Sequence, residues 1–176
     1  MAPIVRFLLS FFLASTAAAC TGKQAAEGTG GDTAEFPPIY GKTLDGEYLH
    51  IRDLEARAVL VNVWATWCAP CRKELPTLEK IHRTYRDRGL AVLGVSVDGA
   101  GDRGAVASMV KSFGLTYPIV LDPSAKVTTV LGVSGYPASF LFDGQGRQLW
   151  RRDGMIFEED AELASQLAAA LGPAAP

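Results

Sequence analysis

The stretch WATWCAPC at residues 64–71 places a C-x-x-C directly after the apolar run VLVNV at residues 59–63. A dense, valine-rich run of this kind is typical of a buried strand. A strand that ends at a C-x-x-C opening a helix leaves the first sulfur at a helix N-terminus, where free backbone N–H groups and the helix dipole favour negative charge. Because the thiolate is the nucleophilic form of cysteine, we expect Cys68 to be reactive.

The composition of the chain is that of an ordinary globular protein. Its 176 residues are 48% apolar and 20% charged, with a formal net charge of −2. This length accommodates one domain with a substantial core and is short for two. No basic cluster stands out, so the charge gives no electrostatic reason to expect nucleic acid as a partner.

The first residues have the composition of an export signal. Residues 1–6 include one arginine, residues 7–13 are almost entirely apolar, and three alanines at 17–19 precede Cys20. This order of positive start, apolar stretch and small residues predicts a signal peptide over residues 1–19. The uncharged stretch that ends at Cys20 is shorter than the about 20 residues of a membrane-spanning helix, so a permanent span is less favoured.

Cys20 is left over once Cys68 and Cys71 are paired, and an odd cysteine in an exported chain needs an explanation. An apolar stretch that ends in small residues and a cysteine resembles a bacterial lipoprotein signal, in which the cysteine is lipidated and anchors the chain to a membrane. Ala17 departs from that signal, which usually has leucine there. The alternative is cleavage after Ala19, which leaves a free thiol. Residues 20–35, rich in glycine, alanine and threonine, are predicted to be a flexible tether.

From residue 36 onward, strand-like and helix-like segments alternate. Short apolar or alternating runs predict strands at residues 48–51, 58–64, 90–97, 119–121, 139–142 and 148–150. Predicted helices run from the C-x-x-C towards Gly89, from an N-cap at Asp102 to Gly114, from Asp122-Pro123 to Gly132, and over about residues 158–171. This alternation predicts an α/β fold whose central mixed sheet is flanked by helices and ends in a hairpin.

Two other uses of the C-x-x-C are weaker than redox chemistry. A structural zinc site needs two further ligands, and the remaining candidates, His50, His82 and Cys20, are not spaced as a ligand pair. Both histidines are more simply interpreted as surface or boundary residues. A purely structural disulfide between Cys68 and Cys71 would close a two-residue gap and restrain almost none of the unfolded chain. The sequence therefore predicts no metal site.

In a redox interpretation, Cys68 is the exposed nucleophile and Cys71, one turn further along the helix, is the resolving thiol. Cys68 attacks a partner disulfide to form a mixed disulfide, and Cys71 then releases the reduced partner. Pro70 suits the first helical turn, since its missing N–H is not needed there. Trp67 is predicted either to cover the nucleophile or to be a core residue.

The sequence NVWATWCAPCRKELP at residues 62–76 resembles the active-site segment of the exported TlpA/ResA family of thiol-disulfide oxidoreductases. The resemblance extends over about residues 36–171, and it implies a thioredoxin-like domain at residues 36–172 with an N-terminal hairpin. Residues 98–122 resemble the strand-helix insertion that separates this family from minimal thioredoxins.

The resemblance also assigns roles to residues outside the C-x-x-C. Thioredoxin-like folds carry a cis-proline facing the disulfide, and Tyr136-Pro137 is the matching pair. Backbone beside such a proline can pair with an extended partner segment. Asn62 stands where thioredoxins have a buried aspartate, which removes the usual proton acceptor for Cys71. Glu74 matches an active-site glutamate that could exchange a proton with that thiol, the alternative being a solvated helix residue.

The resulting expectation is an exported enzyme that reduces protein disulfides without a cofactor. The family implies a membrane thiol transporter as electron donor and apocytochrome c among the clients. The alternatives are a copper-carrying metallochaperone for oxidase assembly and a thioredoxin-fold peroxidase, although no convincing third copper ligand lies near the cysteines. Because the dipeptide Ala69-Pro70 does not fix the reduction potential, the direction of electron flow stays open.

Overall fold

The computed structural model describes residues 35–173. The predicted signal peptide, Cys20 and nearly all of the predicted tether lie outside this part of the chain. The described residues form one seven-stranded sheet in the order β2-β1-β5-β4-β3-β6-β7. Its strands are β1 (Tyr40–Thr43), β2 (Tyr48–His50), β3 (Ala58–Trp64), β4 (Leu90–Ser96), β5 (Ile119–Leu121), β6 (Ala138–Asp143) and β7 (Gln148–Asp153).

The strand that precedes the C-x-x-C is an interior strand of the sheet, between β4 and β6. β3 pairs in parallel with β4 and antiparallel with β6, and every one of its residues is buried. Its valines and leucine favour the extended backbone and pack on both faces. The sheet is therefore mixed, as the sequence predicts, and the C-x-x-C follows its most enclosed strand.

Four helices cover the sheet: α1 (Ala69–Tyr85), α2 (Arg103–Phe113), α3 (Lys126–Val130) and α4 (Ala161–Leu171). Alternate residues of β3 belong to different apolar clusters. Leu60 and Trp64 pack with residues of α1, α2 and α4, whereas Val61 and Val63 pack with α3. Asn62 has the same phase as Leu60 and Trp64, so its side chain faces α1. Within residues 35–173, no helix is long and apolar enough to span a membrane.

Two features distinguish this sheet from that of the minimal thioredoxins. The hairpin of β1 and β2 adds to the free edge of β5, with Lys42 opposite Leu121. Between β4 and β6 the chain forms α2 and β5, which correspond to the predicted insertion. The thioredoxin-like fold and its N-terminal hairpin are thus confirmed.

The predicted start of α2 is confirmed, since Asp102 lies at its N-cap, although the Asp102 side chain makes no capping bond. Two other helix starts differ from the prediction. The helix expected at Asp122-Pro123 begins only at α3, because the Asp122 carboxylate accepts the N–H of Val127 and holds a turn there. The last helix begins at Ala161 rather than near residue 158, where the Asp160 carboxylate accepts the N–H of Leu163.

Candidate functional site

Cys68 and Cys71 form a disulfide at the point where β3 gives way to α1. Their Cα atoms are 5.3 Å apart. Cys68 is the N-cap residue of α1, and its sulfur accepts the N–H of Cys71 at 3.2 Å. This contact places Cys68 Sγ among the unpaired N–H groups of the first helical turn, where negative charge is favoured.

The exposure of the disulfide differs from the prediction. Cys68 is 6% exposed and Cys71 is 0% exposed, so the expectation of an exposed nucleophile is wrong for the disulfide form. The reason is packing, because both cysteines belong to the apolar cluster that also holds Leu75. Cys68 is still the more accessible of the two cysteines, since only its side chain reaches the surface. This order favours Cys68 over Cys71 as the nucleophile.

Trp67 precedes the disulfide in sequence, and Tyr136 packs against the apolar cluster that holds both cysteines. Trp67 is 63% exposed, so the alternative of a core tryptophan is wrong. Its ring meets the ring of Tyr136 edge-on, with centroids 5.7 Å apart. The Tyr136–Pro137 peptide bond is cis, as predicted, and the carbonyl oxygen of Pro137 accepts the N–H of Gly154 at 2.8 Å. The predicted Pro137 loop and the residue before Cys68 are therefore brought together.

Glu74 lies one turn after Cys71 on α1 and is completely buried. The expected alternative, a solvated helix residue, is wrong. Its Oε1 atom accepts the side-chain N–H of Asn62 at 2.7 Å, and its Oε2 atom accepts the backbone N–H of Ile156 at 2.8 Å. Both oxygens of the carboxylate thus have one neutral donor each.

The surroundings of Glu74 control its affinity for a proton. Burial raises the pKa of Glu74 to about 7, and the hydrogen bonds from Ile156 and Asn62 offset only part of this effect. Buried carboxyls behave in this way because a low-dielectric environment disfavours the charged form. A carboxyl with a pKa near 7 can accept or release a proton at neutral pH, which is the requirement for acid-base catalysis there.

Asn62 links Glu74 to a residue that sequence reasoning missed. Its Nδ2 atom also donates to Ser139 Oγ at 2.9 Å. Ser139 lies on β6 directly opposite Asn62 on β3, and both side chains are fully buried. The pairing of β3 with β6 therefore creates a polar group of Asn62, Glu74 and Ser139 within an apolar core.

A second missed residue, Asp98, holds the loop between β3 and the C-x-x-C. Its carboxylate accepts the backbone N–H of Thr66 at 3.0 Å and the hydroxyl groups of Thr66 and Ser96. Arg72 donates to the backbone oxygen of Thr66 from the other side. Parallel β3 and β4 end at the same edge of the sheet, and this is the signal that could have pointed to a residue just after β4.

The two histidines lie away from the disulfide contacts. His50 ends β2 and accepts the N–H of Arg52, whereas His82 on α1 packs its ring edge-on against Tyr117. Both are partly exposed, which agrees with the boundary interpretation. Within residues 35–173, no group of three or more His, Cys, Asp or Glu side chains is arranged to hold a metal ion.

A comparison with protein families places this arrangement among known proteins. The model of the AhpC/TSA family matches residues 33–147. The chain belongs to the AhpC/TSA family. The thiol-disulfide oxidoreductase ResA of Bacillus thuringiensis is 32% identical over 128 residues, which are 73% of each chain. The thioredoxin-like protein YneN of Bacillus subtilis is 37% identical over 64% of this chain and 65% of its own.

Solved structures give the same result for the fold. A putative thiol:disulfide interchange protein DsbE from Chlorobium tepidum has a TM-score of 0.71 at 27% identity, covering 80% of this chain and 99% of that chain. A secreted thiol-disulfide isomerase from Corynebacterium glutamicum has a TM-score of 0.69 at 26% identity, covering 78% and 86%. These relatives confirm the resemblance to TlpA/ResA proteins. The chain is a thioredoxin-fold thiol-disulfide oxidoreductase, and membership of the thiol-disulfide oxidoreductases implies protein disulfides or dithiols as substrates.

Proposed function

We propose that this oxidoreductase works outside the cytoplasm as a reductant, passing electrons from a Cys68/Cys71 dithiol to disulfides of client proteins. The observation that carries the assignment of the nucleophile is the contact between Cys68 Sγ and the N–H of Cys71 at the start of α1. A sulfur in this position is stabilised as a thiolate, and the thiolate attacks disulfides. Cys68 is therefore the nucleophile and Cys71 the resolving thiol. The direction of electron flow follows from the resemblance of residues 62–76 to the TlpA/ResA family.

The reaction balances with two electrons and two protons. The Cys68 thiolate attacks one sulfur of the client disulfide, so that a mixed disulfide forms and the other client sulfur leaves as a thiolate. The Cys71 thiolate then attacks Cys68 Sγ, which restores the Cys68–Cys71 disulfide and releases the second client sulfur. Both client thiolates are finally protonated, and the dithiol is oxidised by two electrons.

Glu74 supplies the proton acceptor for the second step. Cys71 must lose its proton before it attacks Cys68, and it lies in the closed interior with Glu74 three residues later on the same helix face. Since burial raises the pKa of Glu74 to about 7, its carboxylate can take up this proton near neutral pH. Asn62, at the position where thioredoxins have aspartate, then hydrogen-bonds to Glu74 and does not itself accept the proton of Cys71.

Trp67, Tyr136 and Pro137 form the surface on which a client segment docks. The exposed Trp67 ring leans on Tyr136, and aromatic residues of this kind are frequent in binding surfaces. Pro70 lies in the first turn of α1, where its missing N–H is not needed. The resemblance of residues 62–76 to the TlpA/ResA family supports apocytochrome c as a client and a membrane thiol transporter as electron donor.

Location outside the cytoplasm is supported by the sequence of residues 1–35. A signal peptide at residues 1–19, lipidation at Cys20 and a tether over residues 20–35 would anchor the domain at residues 36–172 to a bacterial membrane. Mass spectrometry of the mature N-terminus tests this assignment. A diacylated Cys20 supports the anchor, and an unmodified Cys20 or Thr21 at the N-terminus contradicts it.

The decisive experiment for the direction of the reaction is the reduction potential of the Cys68–Cys71 pair, measured in glutathione or dithiothreitol redox buffers. A value near about −270 mV is that of a reductant, whereas a value near about −120 mV is that of a strong oxidant and would overturn the proposal.

The client is tested with a peptide that carries an oxidised C-x-x-C-H haem-attachment motif. The reduced protein is expected to reduce the disulfide of the peptide in a stoichiometric reaction. The Cys68→Ser variant is expected to be inactive. Two further measurements separate the alternatives. Tight binding of Cu(I) without reductase activity would favour the copper carrier, and rapid consumption of hydrogen peroxide would favour the peroxidase.

A further inference from the structure

The side-chain amide of Asn62 makes hydrogen bonds through its nitrogen but none through its oxygen. Its Nδ2 atom donates both to Glu74 Oε1 at 2.7 Å and to Ser139 Oγ at 2.9 Å. Its Oδ1 atom is fully buried and has no hydrogen-bond partner among the described residues. A buried polar atom without a partner is costly, and it calls for a physical or functional reason.

This arrangement suits only the ionised form of Glu74. A carboxylate accepts hydrogen bonds and donates none. Each of its oxygens accepts one bond here, Oε1 from Asn62 and Oε2 from the backbone N–H of Ile156. The hydroxyl oxygen of Ser139 accepts the second N–H of the amide. Both N–H groups of the amide and the N–H of Ile156 therefore face an acceptor as long as Glu74 carries no proton.

Protonation of Glu74 breaks this complementarity. The new O–H group is a donor and needs an acceptor. At Oε2 it would face the N–H of Ile156, which is part of the backbone and cannot turn. At Oε1 it would face the N–H of Asn62, also a donor. An amide can resolve this conflict, since a half-turn about its last torsion exchanges oxygen and nitrogen with almost no change of shape.

We propose that the amide of Asn62 turns over when Glu74 takes up a proton, so that Asn62 and Ser139 hold Glu74 in both of its protonation states. After the half-turn, Oδ1 accepts the O–H of Glu74 on one lone pair and the O–H of Ser139 on the other. Two hydrogen bonds are lost and two are formed, and Nδ2 moves to the position in which Oδ1 has no partner among the described residues. The orphaned Oδ1 is thus the acceptor that the protonated state uses.

The inference rests on the proposed role of Glu74 as the proton acceptor for Cys71, and it assigns Asn62 and Ser139 as positioning residues. The proton passes from the Cys71 thiol to Glu74 and leaves a thiolate on Cys71. A rigid donor in place of Asn62 would oppose this transfer, because it stabilises only the carboxylate. A reversible amide stabilises both forms and makes the transfer easier in either direction.

The surroundings contain no charge that would drive the same change. Among the described residues, no Lys, Arg or His donates to Glu74, whose neighbours on β3, β6 and the loop after β7 are the neutral Asn62, Ser139 and Ile156. The other titratable groups to consider are Cys71 on α1 and Tyr117, which precedes β5. Burial raises the pKa of Tyr117, so this phenol stays neutral throughout.

The experiment reads the orientation of the amide directly by NMR in the oxidised protein, with no client present. In the carboxylate state, the Asn62 side-chain N–H protons should show nuclear Overhauser contacts to the β-protons of Ser139. These contacts should disappear as the pH falls from about 9 to about 5, with the same midpoint as the carboxyl carbon of Glu74. Contacts that persist across the titration would overturn the inference.

One variant mimics the protonated state of Glu74, and a second variant is its control. Glu74→Gln carries a permanent donor in place of the acid and should lack the contacts between Asn62 and Ser139 at every pH. Glu79→Gln, on the same helix, should titrate as the unchanged protein does. A Glu74→Gln protein that keeps these contacts would contradict the turnover.

A second measurement needs only the carboxyl carbon of Glu74. If the amide serves both protonation states, Asn62→Ala should change the acid dissociation constant of Glu74 by less than about threefold, because both states lose a similar bond. A fixed donor to the carboxylate would instead give a decrease of tenfold or more, and such a decrease would refute the turnover. Because neither measurement uses reductase activity, failure of this inference and failure of the proposed function are separate results.

Discussion

The buried carboxyl of Glu74 should make the stability of the protein fall as the pH rises through neutrality. Its ordinary pKa of 4.5 applies to the unfolded chain, and burial raises the pKa to about 7 in the folded chain. Below about pH 4.5 the group is protonated in both states. Between about pH 4.5 and 7 the unfolded chain releases a proton that the folded chain retains, so the free energy of unfolding decreases. Above about pH 7 the full cost of an ionised, buried carboxylate is present.

The size of this effect follows from the two pKa values. The difference between 4.5 and about 7 corresponds to about 3 kcal/mol, because one pKa unit equals about 1.4 kcal/mol. Most of it falls between about pH 5 and 8. The Glu74→Gln variant cannot ionise there. Its free energy of unfolding, minus that of the unchanged protein, should therefore grow by most of this amount over the same range.

Urea denaturation of the oxidised proteins at several pH values measures this difference. The disulfide prevents titration of the cysteines, and the contributions of His50 and His82, whose pKa values burial lowers, cancel between the two proteins. Glu79→Gln is the matched control. Burial alone would raise the pKa of Glu79, but hydrogen bonds from Arg83 and Thr116 outweigh it and hold the pKa below its ordinary value. This control should show a nearly constant difference, and a constant difference for Glu74→Gln as well would refute the reasoning.

Three further predictions concern the disulfide, a helix cap and the packing of the sheet. The Cys71→Ser variant should accumulate a mixed disulfide between Cys68 and a client, visible by mass spectrometry, and its absence would contradict the order of attack. Asp160→Ala removes the N-cap bond of α4 and should lower the free energy of unfolding by about 1 kcal/mol. Asp102→Ala, at an N-cap without a side-chain bond, should change it much less. Gly94→Ala should lower it by about 1–3 kcal/mol, because the new β-carbon would collide with a side chain of β5, and unchanged stability would show that the sheet yields there.

The features of the fold that could be predicted from the sequence are those that depend on neighbouring residues. The run at Ala58–Trp64 is buried on both faces and was predicted with the same bounds. The order of strand, C-x-x-C and helix placed Cys68 at the start of α1. Even the burial of Glu74 could have been derived, because it lies three residues after Cys71 and four before Leu78, both buried on the same face of the helix.

What the sequence could not provide depended on pairing between distant segments. Ser139 faces Asn62 only because β6 pairs antiparallel with β3 in one register, across 77 residues of chain. A shift of one residue would have turned Ser139 to the other face. The start of α3 was missed for a related reason. Proline in a first turn suggested a helix at Asp122, but the Asp122 carboxylate reaches five residues ahead and stabilises a turn instead.

Comparison of two glutamates on α1 shows why the pKa of Glu74 is raised. Glu74 and Glu79 are both buried on α1, yet the pKa of Glu74 is raised and that of Glu79 is lowered. Glu79 has Arg83 four residues later, where an ion pair forms along the helix, whereas Glu74 has Leu78 there. A cation at that position would hold Glu74 ionised at neutral pH and unable to store a proton. Arg83 at i+4 and the hydrogen bonds from Thr116 thus lower the pKa of Glu79. Glu74, without a cation at i+4, has the raised pKa that the proposed proton transfer from Cys71 requires.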